Sequence, residues 1–583
     1  MSEFWRVAVD TGGTFTDVVL QSPAGICTRR KLLSTGVIRT RIQSIDGNNV
    51  TLHMPEGTED DFAGFQMRRV GARPADAAVE SCDANVLRLD DASVFAPDDL
   101  VDLSTGESAA VLGIRLGTKT RMPSSVPATE LRLGTTRGTN ALLEGRHAQT
   151  AFFTTRGFAD LLRIGNQQRP DIFAMPVILP APIHAQCIEV DERCASDGTV
   201  LRALDEKELR RTASAALQSG CSAAAVAFLH AWRNDEHERI AKSILLECGF
   251  KDVSISSELS PTIRIVPRAQ AAVVDASIAP VVGSFLHQVR SELQSESGKL
   301  QSPDVLVMGS GGGLTPSRQF HAKDALLSGP AGGVVGAVSA AGAWGFDRVL
   351  TFDMGGTSTD VARYDRGFTY TAHQEVGDAH LAAVALDVHT VAAGGGSICH
   401  VEDGLLAVGP HSGGADPGPA CYGHGGPLCL TDVNVLAGRL DPSRFALPID
   451  VQAARDALNA LTALLGDDRD ADAVLDGLLA RADRRMADAI GRVSLRQGCD
   501  PGDYVLVAFG GAGAQHACAV AEALAMDEVL LPSGASVLSA EGIAEAAIER
   551  IEIQQVLRPL EEVNPSLERM VDEITAKAIG HVV

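Results

Sequence analysis

The chain has 583 residues, which is about three times the length of a typical domain and predicts more than one domain. Its net charge of −24 argues against nucleic acid or an anionic membrane as the main partner. The charge does not exclude an anionic ligand, because backbone N–H groups and helix N-termini bind phosphate without basic side chains.

The sequence shows no sign of a membrane or secretory protein. No apolar stretch reaches the roughly 18 residues of a membrane span, and the N-terminus lacks the pattern of a secretory signal. The eleven cysteines are scattered and form no C-x-x-C pair, which is typical of reduced thiols. We therefore expect a cytoplasmic protein without a membrane partner.

The first segments in chain order alternate in character. Residues 4–20 predict a strand, a tight turn and a second strand. Residues 27–127 contain short β-like pieces separated by polar breaks, which predicts an inserted β-rich lobe. An α/β pattern returns from residue 128, and residues 199–246 read as helix, buried strand and helix.

The second half continues the α/β pattern. A long helix is predicted from residue 268, followed by three apolar strands that each run into a glycine turn, at "VLVMGSGGGLT", "VLTFDMGGTSTDVA" and "YVLVAFGGAGAQHA". Strands that alternate with helices predict mainly parallel sheets in an α/β fold. A helix-like stretch near residues 566–583 ends without a clear cap.

Two of the glycine loops have nearly the same sequence. "VDTGGTFTDVV" and "FDMGGTSTDVA" share the pattern D-x-G-G-T-x-T-D-V, and each follows an apolar strand. Paired glycines let backbone N–H groups approach phosphate oxygens, hydroxyl groups add donors, and an aspartate can hold Mg²⁺. A single such loop is as readily a hairpin turn, but the duplication predicts two similar lobes that close on one nucleotide. The predicted nucleotide-binding residues of these loops are Thr11, Gly12, Gly13, Thr14, Gly355, Gly356 and Thr357.

A third glycine loop precedes the predicted helix after residue 513. Its glycines, Gly510, Gly511 and Gly513, lack the lysine of a P-loop, so a strand–helix packing turn explains them as well as nucleotide contact does. As the third member of the set, the loop is assigned here to nucleotide binding.

The loops together resemble a known class of ATP-binding fold. D-x-G-G-T in two lobes followed by a late GG-x-G loop is similar to the actin, sugar-kinase and Hsp70 class. Four stretches, "DTGGTFTDVV", "LGTTRGTNALLE", "FDMGGTSTDVA" and "VGPHSGGADPGPACYGHGGPLCLTDVNVLAGRL", resemble the hydantoinase A/5-oxoprolinase family more specifically. The inserted lobe makes the chain look more like the long 5-oxoprolinase type.

The resemblance implies a domain organisation. It implies an N-terminal ATPase lobe of residues 1–26 plus 128–198, with the β-rich lobe of residues 27–127 inserted into it. Residues 199–549 would form the second ATPase lobe, and residues 550–583 would begin a C-terminal region. The chain stops earlier than usual A-type members, so we expect a missing C-terminal piece.

The resemblance also implies an activity. ATP would phosphorylate the carbonyl oxygen of a cyclic amide, 5-oxoproline or a hydantoin, before water opens the ring. Phosphoryl transfer depends mostly on positioning and charge neutralisation, which Mg²⁺ and backbone donors supply. Asp10 and Asp353 would act as catalytic residues near Mg²⁺. In the family, ring opening is shared with a B-type subunit or fused domain, and we also expect an oligomer.

Two further segments carry candidate residues. In "LGTTRGTNALLE", the resemblance puts Thr136 and Asn140 beside the phosphates or the substrate as catalytic residues, whereas an N-cap at Thr139 or Asn140 is the structural alternative. In "GNQQRPDIF", Asn166 and Arg169 are candidate substrate residues, because a guanidinium holds a carboxylate with two hydrogen bonds. An ion pair between Arg169 and Asp171 is the alternative there.

A second divalent metal is a further hypothesis. Carboxylate, imidazole and thiol groups occur close together in sequence and are metal ligands in proteins. The proline- and glycine-rich loop that contains several of them also fits a rigid loop braced by its polar side chains. The candidates are Asp387, His389, Asp416 and His424, with Cys421 and Asp432 nearby.

Other functions remain open from the sequence. An acetone-type ketone carboxylase subunit would use the same loops to activate a ketone oxygen. A nucleotide-gated binding module would close on ATP without chemistry on a small molecule.

Overall fold

The computed structural model describes residues 4–54, 60–71, 75–167, 173, 175, 181–293, 305–377, 379–445, 449–465, 470–496 and 498–580. The fold is mixed α/β, as predicted. The chain divides into two compact units. The first unit comprises Met1–Gly329, Thr371–Ala385 and Ala546–Val583, and the second comprises Pro330–Tyr370 and Leu386–Glu545.

The strands are numbered in chain order. They are β1 (Trp5–Thr11), β2 (Phe15–Gln21), β3 (Cys27–Leu33), β4 (Ile38–Asp46), β5 (Asn49–Leu52), β6 (Gln66–Arg69), β7 (Asp76–Asp83), β8 (Val86–Leu89), β9 (Leu100–Ser104), β10 (Thr129–Thr135), β11 (Thr150–Thr155), β12 (Gln186–Val190), β13 (Arg193–Cys194), β14 (Val200–Arg202), β15 (Ala223–Ala227), β16 (Asp252–Ile255), β17 (Leu306–Met308), β18 (Leu314–Pro316), β19 (Arg348–Met354), β20 (Thr359–Asp365), β21 (Tyr370–Val376), β22 (Ala379–Leu386), β23 (Val388–Val391), β24 (Ser397–Glu402), β25 (Leu405–Ser412), β26 (Val505–Phe509) and β27 (Val529–Leu530).

The α-helices are numbered in the same way. They are α1 (Ala109–Gly117), α2 (Arg137–Leu143), α3 (Leu161–Ile164), α4 (Glu206–Gln218), α5 (Glu236–Cys248), α6 (Ser256–Leu259), α7 (Ile265–Leu293), α8 (Ser328–Gly342), α9 (Leu430–Leu436), α10 (Val451–Leu464), α11 (Ala471–Arg496), α12 (Ala517–Ala523), α13 (Leu538–Glu545), α14 (Leu560–Val563) and α15 (Leu567–Gly580).

The main sheet of the first unit has the order β18-β17-β10-β1-β2-β3. Strand β1 pairs antiparallel with β2 and parallel with β10, which pairs parallel with β17. Its apolar residues, among them Val7, Val9 and Leu133, are buried in one core cluster. The predicted strand–turn–strand at residues 4–20 is confirmed.

The main sheet of the second unit repeats this arrangement. Its order is β23-β20-β19-β26-β27, with β19 antiparallel to β20 and parallel to β26, which is parallel to β27. Its outer strand β23 is antiparallel to β20, as β3 is to β2. Five strands in each unit therefore share one order and one set of directions.

A closed barrel of strands β4-β5-β8-β7-β6-β9 lies within the segment that the sequence predicted to be β-rich. Alternating residues point inward; β8, for example, exposes Val86 and Arg88 and buries Leu87 and Leu89. The barrel interior is a separate apolar cluster that includes Phe62 and Phe65.

The rest of the first unit contains a four-stranded sheet of order β12-β11-β15-β16, whose strands pair in parallel. Helix α7 packs on β15 and β16. By length and composition α7 is the one helix within the described ranges that could cross a bilayer, but 61% of its most apolar window is buried inside the protein. Such burial is typical of a core helix.

The compact units do not coincide with the predicted domain ranges. Residues 199–329 fall in the first unit, whereas the sequence reading put them with the second lobe. The strands of residues 371–385 and the C-terminal residues 546–583 also belong to the first unit. These segments return after long excursions of the chain, and such long-range pairing leaves no local sequence signal.

Candidate functional site

The first repeated loop joins β1 to β2. Asp10 lies opposite Asp17 in the antiparallel register, and the Gly12 N–H donates a 2.9 Å hydrogen bond to the Phe15 carbonyl oxygen. A Cβ atom on Gly12 would lie only 2.9 Å from that same oxygen, so the turn requires glycine there. The loop is a tight turn whose residues 12–14 follow the buried end of β1.

Thr136 and Asn140, predicted to be catalytic, lie beside this loop. The Thr136 N–H donates to the Thr11 carbonyl oxygen at 3.0 Å, because β10 runs parallel to β1. The Asn140 side-chain amide donates to Thr136 Oγ1 at 3.4 Å, and its nitrogen lies 3.0 Å from where a Cβ on Gly13 would be. Predicted residues from two distant parts of the sequence are therefore brought together.

The N-cap reading for Thr139 or Asn140 is wrong. Helix α2 begins at Arg137, and Thr136 is its N-cap residue, although no side chain caps it. Thr139 Oγ1 instead donates to the Leu326 carbonyl oxygen at 2.5 Å. The helix starts one turn earlier than expected, which leaves the Asn140 side chain on the face toward the loop.

Asp10 has an unusual electrostatic environment. Its Oδ1 atom is buried and has no hydrogen-bond partner among the described residues. Burial raises the pKa of Asp10 from 3.8 to about 7, the Asp17 carboxylate adds to this rise, and Lys31 opposes it. Lys31 is paired with Asp17 at 2.7 Å. A buried carboxylate oxygen without a donor is suited to a divalent cation, which would compensate its charge.

The second repeated loop joins β19 to β20 in the second unit. Asp353 lies opposite Asp360, and the Gly355 N–H donates to the Ser358 carbonyl oxygen at 3.0 Å. These pairings match those of Asp10 with Asp17 and of Gly12 with Phe15, position for position. The two loops therefore share geometry as well as sequence.

The second loop is packed against a glycine segment that the sequence reading did not single out. Gly395 and Gly396 donate their N–H groups to the carbonyl oxygens of Gly355 and Gly356 at 3.0 and 2.6 Å. A Cβ on Gly394 would lie 2.7 Å from the Thr357 nitrogen. The run of three glycines was visible in the sequence, but its contact with a loop nearly forty residues earlier was not.

The third glycine loop separates into packing and open positions. Gly510 has a φ of +79°, and a Cβ there would lie 2.5 Å from the Met354 carbonyl oxygen. A Cβ on Gly513 would lie 3.3 Å from the Phe352 oxygen, whereas a Cβ on Gly511 would meet no described atom within 4 Å. Close strand packing thus accounts for Gly510 and Gly513, and only Gly511 has room for another molecule.

The candidate substrate residues lie at and beyond the edge of a described segment, so their predicted role stays a prediction. Asn166 lies in an exposed turn just after α3. Arg169 and Asp171 lie outside the described residues, so neither the carboxylate contact nor the alternative ion pair has a structural outcome.

The four candidates for a second metal do not form one group. Asp387 and His389 approach each other to 3.4 Å, while Asp416 and His424 are exposed on the proline- and glycine-rich loop. In the described part of the chain, the one group of three or more metal-type ligands is Glu192 with Cys194 and His237, which the sequence reading did not identify.

Asp432 explains the rigid loop without a metal. Its buried carboxylate accepts hydrogen bonds from the N–H groups of Ala420, Cys421 and Cys429, at 3.1, 2.7 and 2.7 Å. Burial and the hydrogen bond with Asp432 raise the pKa of the Cys421 thiol far above its ordinary value, which disfavours the nucleophilic thiolate. Asp432 therefore braces the backbone, as the structural alternative proposed.

Glu192, Cys194 and His237 are buried in the first unit. His237 Nδ1 lies 2.8 Å from one Glu192 carboxylate oxygen, and Thr155 Oγ1 donates to the other. Cys194 Sγ lies 3.8 Å from His237 Nδ1. Because both oxygens of Glu192 have partners, hydrogen bonding alone accounts for this cluster.

Family models and sequence relatives match large parts of the chain. The model of the family "Hydantoinase/oxoprolinase" matches residues 268–552, and that of its N-terminal region matches residues 96–249. The 5-oxoprolinase 1 of Arabidopsis thaliana is 37% identical over 495 residues, which cover 77% of this chain and 39% of that protein. The chain thus spans about two fifths of the length of this relative.

Two solved structures share the fold. The ATP-dependent caprolactamase from Pseudomonas jessenii aligns with a TM-score of 0.74 at 25% identity, over 99% of this chain and 77% of that one. Nucleotide-free acetone carboxylase aligns with a TM-score of 0.68 at 20% identity, over 98% of this chain and 76% of that one. These alignments show a shared fold, and the family-model matches together with the Arabidopsis relative show that the chain belongs to the hydantoinase/oxoprolinase family.

Proposed function

We propose that the chain is the ATP-using part of a cyclic amide hydrolase of the 5-oxoprolinase or hydantoinase type. One observation carries the proposal: the same strand–loop–strand geometry, with an aspartate at the end of the first strand, occurs in two sheets of the same strand order. Two such repeats are the framework of actin-like ATPases, and we assign the chain to that class. The names and alignments of its relatives support this choice.

In the proposed reaction, the carbonyl oxygen of the cyclic amide attacks the γ-phosphorus of ATP, and the bond to the bridging oxygen breaks to release ADP. One water then adds to the phosphorylated ring carbon, and the ring C–N bond breaks as the nitrogen gains a proton, which leaves an acyl phosphate. A second water hydrolyses the acyl phosphate to the carboxylate and inorganic phosphate. The loop residues act by positioning the phosphate chain and by donating hydrogen bonds to it, which is the protein's main contribution to phosphoryl transfer.

Asp10 and Asp353 are the residues that would hold Mg²⁺, which when bound neutralises phosphate charge. The fit rests on the Asp10 Oδ1 atom, which is buried and lacks a hydrogen-bond donor in the described structure. Gly511 and Gly356 have open space beside them, so their backbone can lie close to the nucleotide. Thr136 and Asn140 would orient the transferred phosphate or the substrate oxygen.

We further propose that a B-type subunit or domain completes ring opening, that the assembly is oligomeric, and that it works in the cytoplasm. All eleven cysteines are free thiols, as expected for a reducing compartment.

The test is ADP release in the presence of 5-oxoproline, hydantoin, N-methylhydantoin or acetone, with and without a B-type protein. We expect stimulation by a cyclic amide. Asp353→Asn should abolish turnover and leave the unfolding midpoint unchanged, while Asp347→Asn, at an exposed carboxylate just before the same strand, should retain turnover. If acetone alone stimulated ADP release, the substrate would be a ketone and not a cyclic amide. If none of the compounds stimulated it, the proposal that the chain belongs to such an enzyme would be wrong.

A further inference from the structure

The first unit contains a cavity of about 320 Å³ apart from the repeated loop. It lies between the turn that precedes α7, the loop joining β17 to β18, and the segment 549–553. Its lining includes none of residues 10–14 or 135–140. The volume is at the lower end of the range for small-molecule sites, which extends from about 300 Å³ upward.

Four basic side chains line the cavity, and two of them, Lys323 and Arg264, come from different elements. Lys323 is 6% exposed, and its Nζ lies 2.5 Å from Asp324 Oδ1. Arg264 is exposed at the turn before α7, where its φ of +78° is rare for a residue with a side chain. Among the described residues, the Arg264 side chain forms no ion pair or hydrogen bond, so its guanidinium can donate hydrogen bonds to an anion.

The acidic side chains of the lining are largely compensated. Glu552 is paired with both Arg550 and Lys577, at 3.0 and 2.7 Å. Glu258 is paired at 2.5 Å with Lys242, which is outside the lining. The lining has equal numbers of acidic and basic side chains, so Lys242 makes the local balance positive by one charge.

The remaining walls define the size and polarity of a ligand. Ile263, Phe320 and Ile551 give the cavity apolar faces, and the two isoleucines are 45% and 40% exposed. The Gly311 N–H has no acceptor in the part of the chain that the structure describes, and a Cβ there would lie 3.7 Å from Ile551 Cδ1. A small carboxylate with a short apolar body matches this combination of donors and apolar walls.

We propose that this cavity binds a small organic carboxylate, held by Arg264 and Lys323 with its apolar body against Ile551. Binding in this cavity does not require ATP. The cavity is separate from the proposed nucleotide site, because none of the predicted nucleotide-binding residues lines it. A lactam that bears a carboxylate and a linear acid of similar size should both bind.

The experiment compares L-5-oxoproline with 2-pyrrolidinone, which has the same ring without the carboxylate, by saturation-transfer NMR on the nucleotide-free full chain. We expect 2-pyrrolidinone to bind at least about tenfold more weakly, the change produced by about 1.4 kcal/mol. Arg264→Ala and Lys323→Met should each weaken the binding of 5-oxoproline by about the same factor. Lys207→Met, a control variant at an exposed lysine on α4, should leave that binding unchanged.

Equal binding of the two ring compounds, or unchanged 5-oxoproline binding by folded Arg264→Ala protein, would overturn the proposal. Because Arg264 is exposed, its variant should fold even if Lys323→Met does not. Asp353→Asn should bind 5-oxoproline normally, so failure of the carboxylate site and failure of the ATP-dependent reaction are distinguishable.

Discussion

Replacing Asp10 by asparagine should stabilise the nucleotide-free chain while removing its response to Mg·ATP. The Asp10 Oδ1 atom is buried without a described donor, and burial raises the pKa of Asp10 to about 7. An amide keeps the shape of the side chain but cannot carry the buried charge. The same change removes the carboxylate that we assign to Mg²⁺.

The size of the expected change in the free energy of unfolding follows from the pKa of Asp10. A rise from 3.8 to about 7 corresponds to about 4 kcal/mol of unfavourable free energy for the ionised form in the folded chain. Between these values the folded chain retains a proton that the unfolded chain has lost, so the free energy of unfolding falls as the pH rises from about 4 to about 7. Asp10→Asn lacks this fall and should be more stable by about 2–4 kcal/mol at about pH 8.

The assay is urea unfolding at about pH 4.5 and about pH 8, with and without Mg·ATP. The advantage of Asp10→Asn should be large at the higher pH, small at the lower pH, and absent for Asp76→Asn, an exposed carboxylate of the barrel. Mg·ATP should stabilise the unmodified chain and not Asp10→Asn. A variant that is less stable at both pH values, or that still responds to Mg·ATP, would refute the reasoning.

Three further substitutions test which residues stabilise the glycine-rich loops. Gly510→Ala should lower the free energy of unfolding in urea by about 2–3 kcal/mol, because φ is +79° and the Cβ would meet the Met354 carbonyl. Gly511→Ala should change that free energy by less than about 0.5 kcal/mol and yet weaken nucleotide binding. Equal stabilities of the two variants would contradict the packing role of Gly510. Asp432→Ala should lower the free energy of unfolding by about 3–5 kcal/mol, since three buried N–H groups lose a charged acceptor. If the variant were less stable than the unmodified chain only when zinc is present, Asp432 would instead be a metal ligand.

The sequence predicted the repeated loops well because their signal is local. An apolar strand, a D-x-G-G-T turn and a second apolar strand were visible within twenty residues, and the structure confirms both hairpins. The structure adds that the two loops share one register, with Asp10 opposite Asp17 and Asp353 opposite Asp360.

What the sequence could not predict depends on contacts between distant segments. The packing of Gly394–Gly396 against the second loop, and the return of residues 546–583 to the first unit, have no local pattern. Asp432 illustrates a second limit. From the sequence, a carboxylate near cysteine and histidine can equally be a metal ligand or a hydrogen-bond acceptor that stabilises the backbone. Only the three N–H groups directed at it decide between these roles.

The proposal that both repeated loops take part in nucleotide binding is tested most directly by isothermal titration of the full chain with a non-hydrolysable ATP analogue and Mg²⁺. This proposal predicts that one nucleotide binds per chain, and that binding is lost in Asp10→Asn and equally in Asp353→Asn. Two nucleotides per chain, or full binding after either substitution, would contradict it.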